Sequence, residues 1–278
     1  MPARTTRRQD PFPPDISRLL TRFAAELAET IDLVGLYVYG SLMTGDFSPA
    51  RSDIDVVAVT KSELDKAALD RVRRLHDRLT QLDRPDHGGR SDSGGAAQKL
   101  HCLYVPAGLL GDPDHLHPYW YGDRLTQWQL KVITQAELAA HGRALRGEWP
   151  VPGLPSVAVT DLQAAIRAEL CGYWRRMAAR RGVWLRDTWV DLGLITLPRA
   201  AAVLDTGELI TKGEAIGELG QFSVPAALVA QIHRRRAGEQ VRLNWLQRSI
   251  RAGRVRRIMS TSLRRLTSAD GSANTSGH

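Results

Sequence analysis

Cysteine is scarce. The 278 residues hold two, Cys102 and Cys171, far apart and without metal-like spacing, which excludes a disulfide framework and a cysteine-based zinc site; both read as buried thiols. Aromatic residues reach only 6%. No run approaches the roughly 18 apolar residues of a membrane span, and the polar, arginine-bearing stretch Met1–Asp10 lacks the apolar core of a signal peptide. The chain therefore reads as cytoplasmic, with no membrane partner. Repeats and low-complexity tracts are missing too. At 43% hydrophobic and 24% charged, the composition is that of an ordinary globular protein long enough to bury a substantial core in one large or two modest domains.

Positive charge, by contrast, is in excess. The formal net charge is +8 and the pI about 9.9, which favours an anionic partner such as nucleotide phosphate or nucleic acid. Much of the surplus lies toward the C-terminus, where Arg234, Arg235, Arg236, Arg242, Arg248, Arg251, Arg254, Arg256 and Arg257 crowd helix-like sequence. This run reads either as a solvated surface or as a basic helical face for nucleic acid. Aromatic interleaving, which base stacking needs, is limited there to Trp245.

Hydrophobic spacing predicts the following order. A tail (1–13) precedes a helix N-capped by Asp15, with Ile16, Leu19, Leu20, Phe23, Ala24 and Leu27 on one face. Strands follow near 33–39 and 53–60. Ser62 with Asp65 resembles a capping box that opens a helix to about Leu82. A glycine-rich, polar segment at 83–98 reads as a mobile loop, "KLHCLYVP" as a third strand, "LTQWQLKVIT" as a fourth and "QAELAAHGRALRG" as a short helix. Pro150, Pro152 and Pro155 mark a linker at 150–160. It divides an α+β domain over 14–149, a small mixed sheet with flanking helices, from an α-helical bundle over 161–262. Residues 263–278 read as a disordered tail. Trp174, Trp184 and Trp189, in helical sequence, read as interdomain core.

The chemistry concentrates between residues 37 and 60, in "YVYGSLMTGDFSPARSDIDVVAVT". A strand ends on Gly40-Ser41, and after eleven intervening residues Asp53 and Asp55 open a second apolar strand. Period two puts both carboxylates on one strand face, while Ile54 and Val56 point into the core. Buried carboxylates are costly unless paired or bound to metal. Two hard oxygen donors on one face suit Mg²⁺, which completes its octahedron with water and substrate phosphates. Gly40 lets the backbone approach a phosphate closely, and the Ser41 hydroxyl and neighbouring N–H groups can donate to it.

This combination resembles the signature of the nucleotidyltransferase superfamily related to DNA polymerase β. Within it, the chain is most similar to the bacterial streptomycin/spectinomycin (aminoglycoside) adenylyltransferases. A second match lies in "PRAAAVLDTGELITKGEAIGEL", where Arg199, Thr206-Gly207 and Lys212 fall where the family has an arginine, a Thr-Gly pair and a lysine. The resemblance implies Mg-dependent transfer of AMP from ATP to a hydroxyl of a small molecule, with pyrophosphate released. Asp53 and Asp55 would hold Mg²⁺, Gly40, Ser41 and Ser52 would line the phosphate site, and Arg199 and Lys212 would reach the ATP phosphates across an interdomain cleft.

Two departures from the family follow. At the third-strand position where the family has a glutamate base, this chain has His101. A histidine can replace the carboxylate as general base; alternatively transfer is lost and nucleotide only binds, or the register is shifted and His101 faces the core. The positions where the family places acids for a polycationic acceptor fall on Leu185, Trp189 and Leu192, and Asp187 and Asp191, four apart on one helix face, are the nearby substitutes. The cluster "DPDHLHPYWYGDRLTQW", with His115, His117, Tyr119, Trp120, Tyr121 and Trp128, reads either as a platform beside the third strand on which a sugar or base stacks, with Trp120 as the candidate substrate residue, or as a packed loop anchoring the two domains; His115-x-His117 within it lacks further metal ligands. A second class of function stays open, a regulatory or antitoxin-like protein that holds nucleotide or nucleic acid with little turnover.

Overall fold

The structure, a computed structural model, describes residues 12–49, 51–83 and 95–268. The expected N-terminal tail (except its last two residues), most of the glycine-rich segment and the last ten residues of the expected C-terminal tail lie outside the described residues. Two units emerge. Among the described residues, one holds 12–45, Ser52–Lys131 and Leu138–Pro155; the other holds Asp46–Arg51, Val132–Glu137 and 156–268. Sequence placed one boundary at 150–160; in the structure the second unit also takes up two short segments from earlier in the chain.

The first unit is a six-stranded mixed sheet ordered β5-β4-β3-β2-β1-β6. Its strands are β1 (Leu33–Tyr39), β2 (Ile54–Thr60), β3 (Leu100–Pro106), β4 (Leu116–Tyr121), β5 (Arg124–Gln129) and β6 (Arg143–Arg146). Only β2 and β3 run parallel, as the crossover through helix α2 (Lys66–Leu82) requires; the other pairs are antiparallel. Helix α1 (Pro14–Thr30) buries the six apolar residues that its period picks out. On one sheet face Phe23 of α1 and His76 of α2 meet Tyr104 and Trp120. On the other, Tyr37, Val57, Val59, Leu103 and Val105 pack with Leu110, Leu130, Leu138 and Val151.

Several local expectations are corrected. Asp15 does not cap α1; the helix starts two residues earlier than that cap implies, with Pro14 at N1 after Pro13 and Asp15 inside the first turn. Ser62 is not part of a capping box, since Asp65 itself caps α2 by accepting from the Ala68 N–H at 2.7 Å. The expected fourth strand stops at Gln129, and from Val132 the chain is helix α3 (Val132–His141). Strands β4 and β6 were not anticipated. Cys102 is buried, and burial pushes its thiol up to about 12, but Cys171 is exposed.

The second unit is helical: α4 (Val159–Glu169), a π-helical turn (Leu170–Trp174), α5 (Arg175–Ala179), α6 (Asp187–Thr206), α7 (Lys212–Gly217), α8 (Ala226–Arg236) and α9 (Trp245–Ser268). Helix α9 thus continues through 263–268, residues assigned by sequence to a disordered tail. Trp174 and Trp184 belong to this unit's own core, with Trp189 packed against it, rather than to a core shared by two domains. Gly193 of α6 is required there, because a Cβ would lie 2.7 Å from the Trp184 ring.

Candidate active site

Gly40 is the point from which the site is built. β1 ends at Tyr39, directly opposite Asp55 of β2, and the chain turns into a short 3₁₀ segment, Gly40–Leu42. Gly40 has φ +72°, and a Cβ on it would stand 2.9 Å from Asp55 Oδ2. Both the conformation and the close approach demand glycine. The Gly40-Ser41 turn therefore lies against the Asp55 carboxylate, as the sequence spacing implied.

The parallel pairing of β2 with β3 brings in the third member. Asp55 is the register partner of His101. The imidazole Nδ1 lies 3.9 Å from Asp55 Oδ1, and Nε2 lies 3.8 Å from Asp53 Oδ1. These spacings are too long for hydrogen bonds and short enough for strong charge interaction. His101 thus faces the two carboxylates, not the hydrophobic core. Burial holds its pKa below the usual histidine value, with the Asp53 charge pulling the other way. Tyr121 and Tyr119 flank the ring at centroid distances of 4.5 and 6.0 Å.

The carboxylates remain reachable from solvent while the imidazole beside them is covered. The Asp53 and Asp55 side chains are 53% and 29% exposed, against 8% for His101. Two hard oxygen donors one residue apart, partly open to solvent and bordered by a glycine turn, fit a Mg²⁺ ion that keeps positions for phosphate oxygens. Ser52, just before them, is buried.

Trp120 sits elsewhere. It is 1% exposed and stacks on His76 at 4.4 Å on the α1/α2 face, opposite to the face of His101. Asp187 and Asp191 lie in the second unit, within a cluster of arginines. Asp191 accepts from Arg235 Nη2 at 2.5 Å and Nε at 2.9 Å, and from Arg51 at 3.3 Å; Asp187 accepts from Arg251 at 2.5 Å. Burial raises the Asp191 pKa against the pull of Arg235 and Arg51. Arg199 of α6 pairs with Glu137 at 2.6 Å and donates to the Ile210 carbonyl. Lys212 opens α7 behind the Thr211/Glu214 capping box.

Sequence reasoning set the aromatic cluster beside the third strand but singled out Trp120 over Tyr119 and Tyr121, because it missed β4 and the alternation that turns the two tyrosines toward His101. The signal was present in "YGDR": Gly122, at φ +64°, and Asp123 form a two-residue hairpin turn between Tyr121 and Arg124. It also missed Asp46, which pairs with Arg236 at 2.8 Å and anchors the segment that leads to Asp53.

Residues 18–86 match the family model of the nucleotidyltransferase domain, a span that contains Gly40, Ser41, Asp53 and Asp55. Over these residues the chain resembles a nucleotidyltransferase domain. That match supports nucleotidyl transfer as the general chemistry of this part of the chain. The chain is also similar in fold to a solved structure of the spectinomycin adenyltransferase AAD(9) from Enterococcus faecialis, determined with ATP and spectinomycin. That likeness covers 88% of this chain and 99% of the other, with a TM-score of 0.64 and 15% sequence identity. No curated protein matches the chain in sequence. The family match ends before β3, so His101 is placed by the parallel register of β2 and β3 and not by family membership.

Proposed function

We propose that the protein transfers AMP from Mg-ATP to a hydroxyl of a small molecule, with an aminoglycoside-type antibiotic such as spectinomycin as the first acceptor to test. The observation that carries the reading is the in-register pairing of Asp55 with His101 beside a turn where only glycine fits. Asp53 and Asp55 would hold Mg²⁺, which when bound supplies charge neutralisation for the triphosphate. Ser41 and the N–H groups of its turn bind phosphate oxygens. His101, with its ring fixed by Tyr119 and Tyr121, takes the proton of the acceptor hydroxyl, the role the related enzymes give to glutamate. Arg199, already paired with Glu137 and bonded to the Ile210 carbonyl, has no part in binding phosphate in this reading. Asp187 and Asp191 have no part in holding acceptor amines in this reading, because arginines already neutralise them.

The deciding experiment measures pyrophosphate release from Mg-ATP with spectinomycin and other hydroxyl acceptors, alongside calorimetry with a non-hydrolysable ATP analogue. Magnesium-dependent release that disappears in Asp53→Asn/Asp55→Asn is the expected result. Magnesium-dependent binding without release for any acceptor would favour the second reading, a nucleotide-holding regulatory protein, for which the histidine at the base position is the supporting observation. No binding of any nucleoside triphosphate would overturn both.

A further inference from the structure

Arginine in the helical unit falls into two sets. Arg234, Arg235, Arg236 and Arg251 are paired, with Glu239, Asp191, Asp46 and Asp187 respectively. Others concentrate on two segments far apart in sequence. Residues 170–186, which comprise the π-helical turn, α5 and a 3₁₀ turn (Arg181–Leu185), hold five arginines, no lysine and no carboxylate. Helix α9 holds seven arginines in 24 residues, and again no lysine or carboxylate. The fold packs the two segments together. Trp174, Met177 and Trp184 share a core with Ala252, Val255 and Met259, and Arg251 of α9 donates to the Leu185 carbonyl at 3.2 Å.

The outward arginines of this pair of segments are uncompensated. Arg175, Arg176, Arg180, Arg181 and Arg186 are exposed, and among the described residues none of them makes an ion pair. The same holds for Arg254, Arg257 and Arg264 of α9. Packed helices lie about 8–10 Å apart, close to the Debye length at physiological salt, so these charges repel one another until a polyanion neutralises them. Surface charge that serves solubility alone is ordinarily of both signs. Each segment also carries an aromatic side chain in the open: Tyr173 of the π-helical turn is 40% exposed, and Trp245, which opens α9, 76%. Guanidinium groups fork onto phosphate oxygens and exposed rings stack on bases, the combination that holds single-stranded nucleic acid whatever its sequence. Like charge excludes a second copy of this face as the occupant.

We infer that the surface formed by residues 170–186 and α9 binds a single-stranded polynucleotide along its phosphate backbone. It shares no residue with the Asp53, Asp55 and His101 site, and it stands whether or not AMP transfer is confirmed.

The test is fluorescence anisotropy of labelled oligouridine and oligothymidine, each of about 20 nucleotides, titrated with the intact chain. Binding of either strand supports the inference, and a preference between them tells RNA from DNA. A Kd of about 10⁻⁵ M at about 100 mM salt is expected, with log K falling against log salt at a slope of about −3 or steeper, about −0.7 for each of four or more phosphates. Arg180→Gln/Arg181→Gln on one segment and Arg257→Gln/Arg264→Gln on the other should each flatten that slope by about 1.4 and weaken binding about tenfold or more. All four positions are exposed, so the melting temperature should not change. Tyr173→Ala/Trp245→Ala should weaken oligonucleotide binding about tenfold or more, the share of base stacking, and leave binding of heparin, a polyanion without bases, as in wild type. The inference is overturned if neither oligonucleotide binds at about 100 μM protein and about 50 mM salt, conditions that favour even non-specific binding. It also fails if the glutamine variants bind like wild type, or if the aromatic variant loses oligonucleotide and heparin alike or neither. Tighter binding to phosphatidylglycerol vesicles, which the exposed Leu246 and Ile250 would suit, would reassign the surface to a membrane.

Discussion

At the scale of single residues, the site rests on one missing side chain and one histidine. Gly40→Ala would place a methyl group 2.9 Å from Asp55 Oδ2 on a residue with φ +72°, so either the turn or the carboxylate must shift. A left-handed conformation costs a residue with a Cβ about 1–2 kcal/mol. A displacement of about 1 Å at a reacting centre typically costs about 10²-fold in rate. Gly40→Ala should therefore remain folded in thermal melts while nucleotidyl transfer falls by about that factor; wild-type turnover would show that the close approach is irrelevant. For His101, truncation to alanine should lower kcat by about 10²–10⁴, the usual share of general acid–base catalysis. His101→Glu should restore part of it. A glutamate variant as inactive as alanine would remove His101 from the base role. These residues were legible in sequence because each contradicts its surroundings: carboxylates opening an apolar strand, a glycine ending another, a histidine at a strand start. Their mutual geometry needed only the parallel register of β2 and β3.

At the scale of elements, α2 gives the sheet a buried histidine that couples stability to pH. His76 lies among Phe23, Tyr104 and Trp120, with Nε2 2.7 Å from the Tyr104 hydroxyl, and burial pushes its pKa down to about 3. In the unfolded chain the value is about 6.5. Above that pH His76 is neutral in both states and its contribution is fully present. As pH falls from about 6.5 toward 3, only the unfolded state takes up the proton, and stability drops by about 1.4 kcal/mol per pH unit. His117, pushed down to about 4 mainly by burial and also by His115, adds a slope of the same sign. Urea unfolding of His76→Phe at pH 5, 6 and 7 should lack about 1.2 kcal/mol of the wild-type drop between pH 6 and 5 and about 0.7 kcal/mol of that between 7 and 6, keeping the share of His117. An unchanged slope would mean that His76 is solvated. Elements were unevenly legible for related reasons. α1 and α2 each bury one clean stripe, which periodicity finds. β5 carries an almost wholly exposed pattern and β6 has four residues on the opposite edge, so neither shows an apolar alternation. Val132 and Ile133 read as strand by propensity, yet they pack with Ala136, Leu162 and Val203 as part of a helix, and tertiary packing overrides β-propensity.

At the scale of the molecule, the arginine surplus turns out to have two uses, and only one is at the surface. Arg235 is 1% exposed and forks onto Asp191; Arg251, also buried, reaches Asp187. Composition could not separate these from their solvated neighbours in the same run, because the partner carboxylates lie more than forty residues away, on α6. The same cluster takes in Arg51, and Asp46 pairs with Arg236, so the segment that runs into Asp53 is tied to α6 and α8. Removing one member of a buried pair leaves an uncompensated charge and costs about 3–5 kcal/mol, whereas replacing both by apolar groups of similar volume is often neutral. Arg235→Met should thus destabilise the helical unit by about that amount, and Arg235→Met/Asp191→Leu should recover most of it, although Arg51 then loses its carboxylate. Chemical denaturation followed by tryptophan fluorescence reads both, since Trp174 and Trp184 belong to this core. If the double variant is as unstable as the single one, the arginine is holding the bundle by packing of its stem and not by charge.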